Sequence, residues 1–304
     1  AVYPFPSDND SNTYVKMILE NAEAENLKFI PFENSVSKTF KMDSKKVQEV
    51  YLNWYENFEA PELWVTFRRL LKRWFILHLL KRKHIDIVPT VHNRQTHDTK
   101  WGRLSKAFTK YLYGNAKNLL ILCENTRDVL KETFGEGFYK KKLEKKCVKI
   151  PHPTYTSIYP ISTKDIRKAY CISDKDMVLL YLGAIKKYKN VELIIRLAKY
   201  FQRKGYNGKF ILAGGCSDSD YLEQLRKETQ GLTNLILVPH FIGDEEIDGF
   251  MKAADVFICP LNIESSLNSG SCMLGLTYGK QVICPKIGTI QELNLSLIHI
   301  SEPT

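Results

Sequence analysis

The sequence predicts an α/β protein made of two sequential parallel-sheet lobes that face each other across a cleft. Three observations carry this. Short apolar runs alternate with longer amphipathic ones along the whole chain, the pattern of a parallel sheet covered by helices. The 304 residues, 44% hydrophobic and 26% charged, are enough for two cores of ordinary size. Between the two halves lies IPHPTYTSIYP, residues 150–160, whose prolines at 151, 153 and 160 exclude both a regular helix and a central strand.

In the first half, AVYP reads as the end of an apolar run whose beginning is absent, a clipped first strand. Further strands are expected near 27–32 (LKFIPF), 86–91 (DIVPTV) and 118–122 (NLLIL), with helices around 12–25, 62–83, 102–114 and 125–134. After the Pro-rich link, DMVLLYLG (176–183) is a strand closed by glycine, NVELIIRLAKYFQRKG (190–205) a helix with a glycine stop, and GKFILAGG (208–215) a second strand. YLEQLRKET, NLILVPHF, DEEIDGFMKAA and DVFICP continue the alternation. The expected division is therefore a first lobe over 1–150, a linker over 151–160 and a second lobe over 161–293. NLSLIHISEPT, from 294 to 304, breaks the alternation and reads as a non-native adaptor tail in place of a natural C-terminal segment.

The net charge of +10 is unevenly placed. Residues 1–150 hold 27 Lys and Arg against 18 Asp and Glu, a surplus of +9, whereas 151–304 hold 17 against 16, a surplus of +1. Such asymmetry points to an anionic partner of the first half. FRRLLKRWFILHLLKRKH (67–84) interleaves basic residues with Trp74, Phe75 and leucines, and YKKKLEKKCVK (139–149) adds a second basic cluster. These favour an anionic membrane surface over a nucleic acid, for which no stacking module or recognition helix is present; the competing reading of 67–84 is a domain helix with a basic solvent face. No run approaches the roughly 18 apolar residues of a membrane span, and AVYPFPSDND lacks a signal pattern, so a cytoplasmic protein, peripheral on the inner face of the membrane, is expected. Seven cysteines without a CxxC pair are expected to be reduced and mostly packed.

Chemistry is expected in the loops after the strands. Gly183 and the helix beginning near Asn190 place backbone N–H groups and Lys186, Lys187 and Lys189 around one rim, suited to a diphosphate. Asn268-Ser269-Gly270-Ser271 stands at a helix N-terminus, where small side chains let amides approach a phosphate and hydroxyls add donors; a serine N-cap on a core helix is the simpler alternative. His92, Asn93 and His97 follow a strand end, and an imidazole there can exchange protons with a sugar hydroxyl or a nucleophile. His92 and His97 have no third ligand nearby, which argues against a metal site. Asp98 and Glu124 are weaker candidates for a base, and Glu264 for a sugar hydroxyl contact.

The order LGAIKKYKN, FILAGG, DVFICP, NSGS, YGKQVICPKIGTIQEL resembles the donor-binding domain of GT-B glycosyltransferases, similar to glycosyltransferase family four (group 1), over residues 176–293; VYPFPSDNDSNTY, TVHNRQTH and the IPHP link extend the likeness into the first half. The resemblance implies two Rossmann-like domains, an acceptor lobe first and a nucleotide-sugar lobe second, and no cofactor or metal. It implies that Lys189 faces the donor phosphates and that His92 approaches the donor sugar from the opposite lobe as the catalytic-side residue. Gly183, Lys186, Asn268, Ser269, Gly270 and Ser271 would complete the donor site. The chain departs from the pattern at Ala184, where an arginine is usual, and at Ser266 and Leu274, which stand where two glutamates are usual. The implied activity is transfer of a hexose-like sugar from a nucleotide diphosphate sugar to a saccharide or lipid-linked acceptor in cell-surface polysaccharide synthesis. A catalytically degenerate nucleotide-sugar-binding or partner protein is the alternative.

Overall fold

A computed structural model describes residues 2–5, 13–18, 32–94 and 100–293. The strand expected at 27–32 falls almost wholly outside these residues, as do His97, Asp98, most of the helix expected over 12–25 and the tail after 293.

The first lobe runs β1 (Val2–Phe5), a helical stretch at 14–18 (α1), α2 (Val36–Lys41), β2 (Glu49–Asn53), α3 (Leu63–Arg82), β3 (Asp86–Val91), α4 (Gly102–Asn115), β4 (Leu119–Ile121), α5 (Asn125–Phe134), α6 (Glu136–Phe138) leading into a π turn at Tyr139–Leu143, and β5 (Cys147–Lys149). The strands form one parallel sheet in the order β1-β2-β3-β4-β5. Two strands went unpredicted. EVYLN is a five-residue strand, visible only through its pairing with β1 and β3; CVK, inside the basic cluster, is an edge strand beside β4. Short runs like these carry too few periods to declare themselves.

After the Pro-rich stretch, α7 (Ile166–Ala169) is capped by Asp165, whose carboxylate accepts from the Lys168 amide at 3.0 Å. The second lobe follows as β6 (Val178–Leu182), α8 (Glu192–Lys204), β7 (Lys209–Ala213), α9 (Ser219–Thr229), β8 (Leu235–Val238), α10 (Asp244–Ala253), β9 (Val256–Ile258), α11 (Gly270–Thr277), β10 (Gln281–Ile283) and α12 (Gly288–Glu292). Its parallel strands lie in the order β10-β9-β6-β7-β8. The chain thus builds outward from β6 to one side, then returns to build β9 and β10 on the other. Between β6 and β9 the winding reverses, and the carboxyl ends of these two strands flank the crevice where such sheets take ligands. Every residue of β6 is buried, as befits a central strand covered by helices on both faces.

One core fills the first lobe, around Val50, Leu52, Ile76, Leu80, Leu112 and Ile121. The second lobe has a core on each face of its sheet, and the one nearer the first lobe also takes in Tyr14, Val15, Met17 and Leu122. The lobes meet again where α12 packs on α5: Lys149 pairs with Glu292 at 2.6 Å, and the same carboxylate accepts from the Glu124 amide. All seven cysteines are free; Cys123, Cys259 and Cys272 are buried, but Cys171 is exposed and the other three are half-buried, fewer packed than expected. Among the described residues no helix is long and apolar enough to cross a membrane.

Gly214, at the end of β7, shows how closely the strand ends approach. Its φ is +147°, and a Cβ there would stand 1.9 Å from the Gly183 carbonyl oxygen. Gly214→Ala is expected to cost more than about 2 kcal/mol in urea melts, because the clash is with backbone and not with a pliable side chain. Gly215→Ala, whose Cβ would meet Phe241 at an ordinary 3.6 Å, is expected to cost less than about 1 kcal/mol.

Candidate active site

A cavity of about 960 Å³ lies between the lobes, outside the carboxyl ends of β6, β7 and β8 and beside the start of α11. The second lobe supplies Gly183, Lys186 and Lys189 from the loop after β6, and Asn268, Gly270, Ser271 and Leu274 from the start of α11. The first lobe supplies Tyr14, Trp54, His92 and Asn93, and the link between the lobes supplies His152 and Tyr155.

The three lysines after β6 divide. Lys187 pairs with Asp218 at 3.1 Å, away from the cleft. Lys186 and Lys189 line the cavity, and among the described residues neither has an ion-pair partner; their ammonium groups lie 6.0 and 5.4 Å from the Tyr188 ring centroid. Burial, with repulsion from Lys186, holds the Lys189 ammonium below the usual lysine range. Two unneutralised ammonium groups on one rim, one of them partly desolvated, constitute a standing demand for an anion.

The NSGS stretch also divides. Ser269 is buried and its hydroxyl accepts from the Cys272 amide at 3.2 Å, so it is the N-cap of α11 and does not reach the cavity. Gly270 is needed where Tyr155 approaches: a Cβ would stand 2.6 Å from the Tyr155 hydroxyl. Asn268 donates from Nδ2 to the His92 carbonyl oxygen at 2.8 Å, and its Oδ1 accepts from Thr289. Its amide is thereby spent on joining the lobes. Ser271 is left to face the cavity beside Gly183, where a Cβ would lie 3.6 Å from its hydroxyl oxygen. Of the two positions where glutamates are usual, Ser266 is buried and Leu274 lines the cavity.

His92 is 6% exposed, stacked on Trp54 at 4.2 Å and met edge-on by Tyr14 at 5.0 Å. Asn53 donates from Nδ2 to the Phe5 carbonyl at 3.3 Å, which turns its Oδ1 toward His92 Nε2 at 3.0 Å. Nε2 must then carry the proton, leaving Nδ1 with the lone pair. Burial, reinforced by His152, holds the ring's pKa down at about 3. The expected acid–base histidine is instead a neutral, oriented imidazole, able to accept a hydrogen bond but a poor proton store at neutral pH. Asn53, Trp54, Tyr14 and His152, which hold it, went unsuspected. The first two sit at the end of a strand too short to be recognised. Trp54 has a φ of +52°, a costly conformation for an aromatic residue, and that turn was the signal available only in the backbone.

Glu124 pairs with Arg127 at 2.7 Å on the surface, and Glu264 lies outside this cavity. Among the described residues no three His, Cys, Asp or Glu side chains come together as a metal site.

Two parallel α/β lobes facing each other across a cavity place the chain in the class of two-lobed, Rossmann-like α/β proteins. Residues 162–292, the second lobe, match the model of the glycosyl transferases group 1. Over 131 residues the chain is 25% identical to an uncharacterised glycosyltransferase of Methanocaldococcus jannaschii, covering 42% of this chain and 32% of the relative. Over 189 residues it is 24% identical to the lipopolysaccharide 1,2-N-acetylglucosaminetransferase of Salmonella typhimurium, covering 58% and 49%. The chain thus spans half or less of the length of these two relatives. Similar solved structures include HepE of Anabaena in complex with UDP and glucose (TM-score 0.68, 13% identity, 96% of this chain and 82% of that one). The catalytic domain of starch synthase IV of Arabidopsis thaliana, bound to ADP and acarbose, matches with TM-score 0.59 and 14% identity, covering 86% and 61%. These likenesses show the GT-B fold.

With the folded His92 pKa near 3 and the unfolded value near 6.5, the unfolded chain binds the extra proton between them. The stability held by the neutral ring is present above about pH 6.5 and is lost as pH falls toward 3. His92→Phe is expected to remove up to about 1.4 kcal/mol per pH unit of that slope, measured by urea titration across pH 4–7.

Proposed function

We propose that the protein is a glycosyltransferase that moves a sugar from a nucleotide diphosphate sugar to a saccharide or lipid-linked acceptor, in cell-surface polysaccharide synthesis. The observation that carries this reading is the pair of unneutralised ammonium groups, Lys186 and Lys189, on the rim of an interlobe cavity that also receives the start of α11. As the bond between sugar and phosphate breaks, negative charge grows on the departing diphosphate. The two ammonium groups, the first-turn amides of α11 and the Ser271 hydroxyl are placed to neutralise it. His92 Nδ1 offers an acceptor to a sugar hydroxyl from the other wall. The UDP and UDP-glucose held by HepE, and the lipopolysaccharide enzyme among the relatives, support the donor and acceptor classes.

The membrane is proposed as the place of action. Along α3, Trp64, Phe67, Leu71, Trp74 and Phe75 all stand exposed, Trp64 at 73%, while Thr66, Ile76, Leu77 and Leu80 face the core. Basic residues Arg68, Arg69 and Lys72 intersperse this exposed row, and no acidic residue occurs between 63 and 84. Aromatic side chains flanked by cations are what an anionic lipid surface takes up. One observation favours a second reading, a nucleotide-sugar-binding protein without turnover: Leu274 lines the cavity where a glutamate is usual.

With UDP-glucose as the first donor tried, Lys189→Ala is expected to lower turnover on the order of 10²-fold with an unchanged melting temperature. Nucleotide-sugar binding by the native protein with no sugar release onto any saccharide would favour the second reading. Vesicles containing 30% phosphatidylglycerol are expected to sediment the native protein and to lose the Trp64→Ser, Phe67→Ser double variant; equal sedimentation of both would remove the membrane from the proposal.

A further inference from the structure

A second cavity, of about 380 Å³, lies in the first lobe and touches the first through Asn93. It opens outside the carboxyl ends of β2 and β3, with α4 and α5 as walls, and the second lobe reaches its edge only with Glu264. Its lining combines apolar surface, from Val91, Leu130 and Phe134, with the polar groups of Asn93 and Thr133.

Glu56 lines this cavity from the loop after β2. The side chain is 6% exposed, and its Oε2 is buried without any hydrogen-bond partner. Burying a carboxyl group in this state destabilises a fold, so a chain that keeps one has a use for it or a compensation elsewhere. The compensation is partial: burial outweighs a backbone hydrogen bond and the field of Arg73, which both favour the ionised form. Arg73, the cation nearest in influence, donates to the Tyr55 carbonyl and lies over the Tyr55 ring at 4.8 Å, and among the described residues it forms no ion pair with Glu56. Tyr113 of α4 is the other titratable group whose charge interacts with it. Burial raises the carboxyl pKa to about 7, so near neutral pH Glu56 can donate a hydrogen bond as well as accept one.

The rest of the wall narrows the ligand. Arg94 and Glu132 pair at 3.7 Å, and Lys106 and Glu264 stand exposed with opposite charges, so the mouth has no excess of one sign. A strongly ionic ligand gains nothing there. A neutral ring with one apolar face and a rim of hydroxyls matches both the lining and the volume, which falls in the range of small-molecule sites. We propose that this cavity holds a neutral monosaccharide unit, hydrogen-bonded to the Glu56 carboxyl group. Naming that unit as part of the acceptor rests on the transferase reading; the binding itself does not.

The test uses the full chain without nucleotide and a panel of methyl glycosides of glucose, galactose, mannose and N-acetylglucosamine, with saturation-transfer NMR as readout. At least one is expected to bind, with a Kd raised tenfold or more in Glu56→Leu. Both Glu56→Leu and Glu56→Gln are expected to melt higher than the native protein, since each removes an unpartnered buried carboxyl group. The gain should grow from pH 4.5 to pH 7, because over that range the unfolded chain's carboxyl ionises while the native one is held protonated, which favours the unfolded native sequence. Absence of binding by the whole panel, equal affinity in Glu56→Leu, or a fall of several degrees in both variants would overturn the proposal. Calorimetry with UDP on the same samples keeps the two readings apart: absence of UDP binding by the native protein would count against the donor site, while the glycoside result decides this one.

Discussion

The hydrogen bond from Asn268 to the His92 carbonyl is the interaction on which the site depends. It crosses 176 positions of sequence and ties the loop before α11 to the end of β3. Because Asn268 also accepts from Thr289 in the first turn of α12, the helix that packs on α5, one side chain links the start of α11, the start of α12 and the first lobe. Without such a tie, the lobes would still be joined through the Pro-rich link, the core that takes in Tyr14, Val15, Met17 and Leu122, and the packing of α12 on α5, but nothing would fix the end of β3 directly to the loop before α11. A misplacement of an ångström in a transfer site is costly, so a rigid bridge between the walls has mechanistic value.

Around that bridge the charges are arranged asymmetrically. The second lobe presents cations and amide dipoles, while the first lobe presents a neutral imidazole held between an indole and a phenol. A neutral ring facing two ammonium groups is sensible electrostatics, since an imidazolium there would repel them and compete for the anion. Burial against Trp54 and Tyr14 keeps His92 neutral, and burial in the second lobe weakens the hold of Lys189 on its proton.

The elements with several turns of 3.6-residue periodicity were legible: helices expected at 62–83 and 125–134 appear at Leu63–Arg82 and Asn125–Phe134. The strands β6 and β7 of the second lobe were legible too, as continuous apolar runs ended by glycine. EVYLN was not, and with it went Asn53, Trp54 and Glu56. A five-residue strand between Lys46 and Trp54 has no pattern of its own and exists because its neighbours pair with it. In the NSGS stretch the sequence identified a helix start, yet residue type alone could not separate the serine that caps from the serine that faces the cleft. That distinction depends on which way each side chain leaves the backbone, and here Ser269 turns to the Cys272 amide. The role of Asn268 was equally hidden, since its partner lies in the other lobe.

The most direct measurement is a crystal structure with UDP bound. The expected result places the diphosphate in the interlobe cavity, within 3.5 Å of Lys189 Nζ and of an amide or hydroxyl at the start of α11, a distance at the limit of ordinary hydrogen bonding. Nucleotide bound on any other surface, or a diphosphate that leaves both Lys186 and Lys189 untouched, would contradict it.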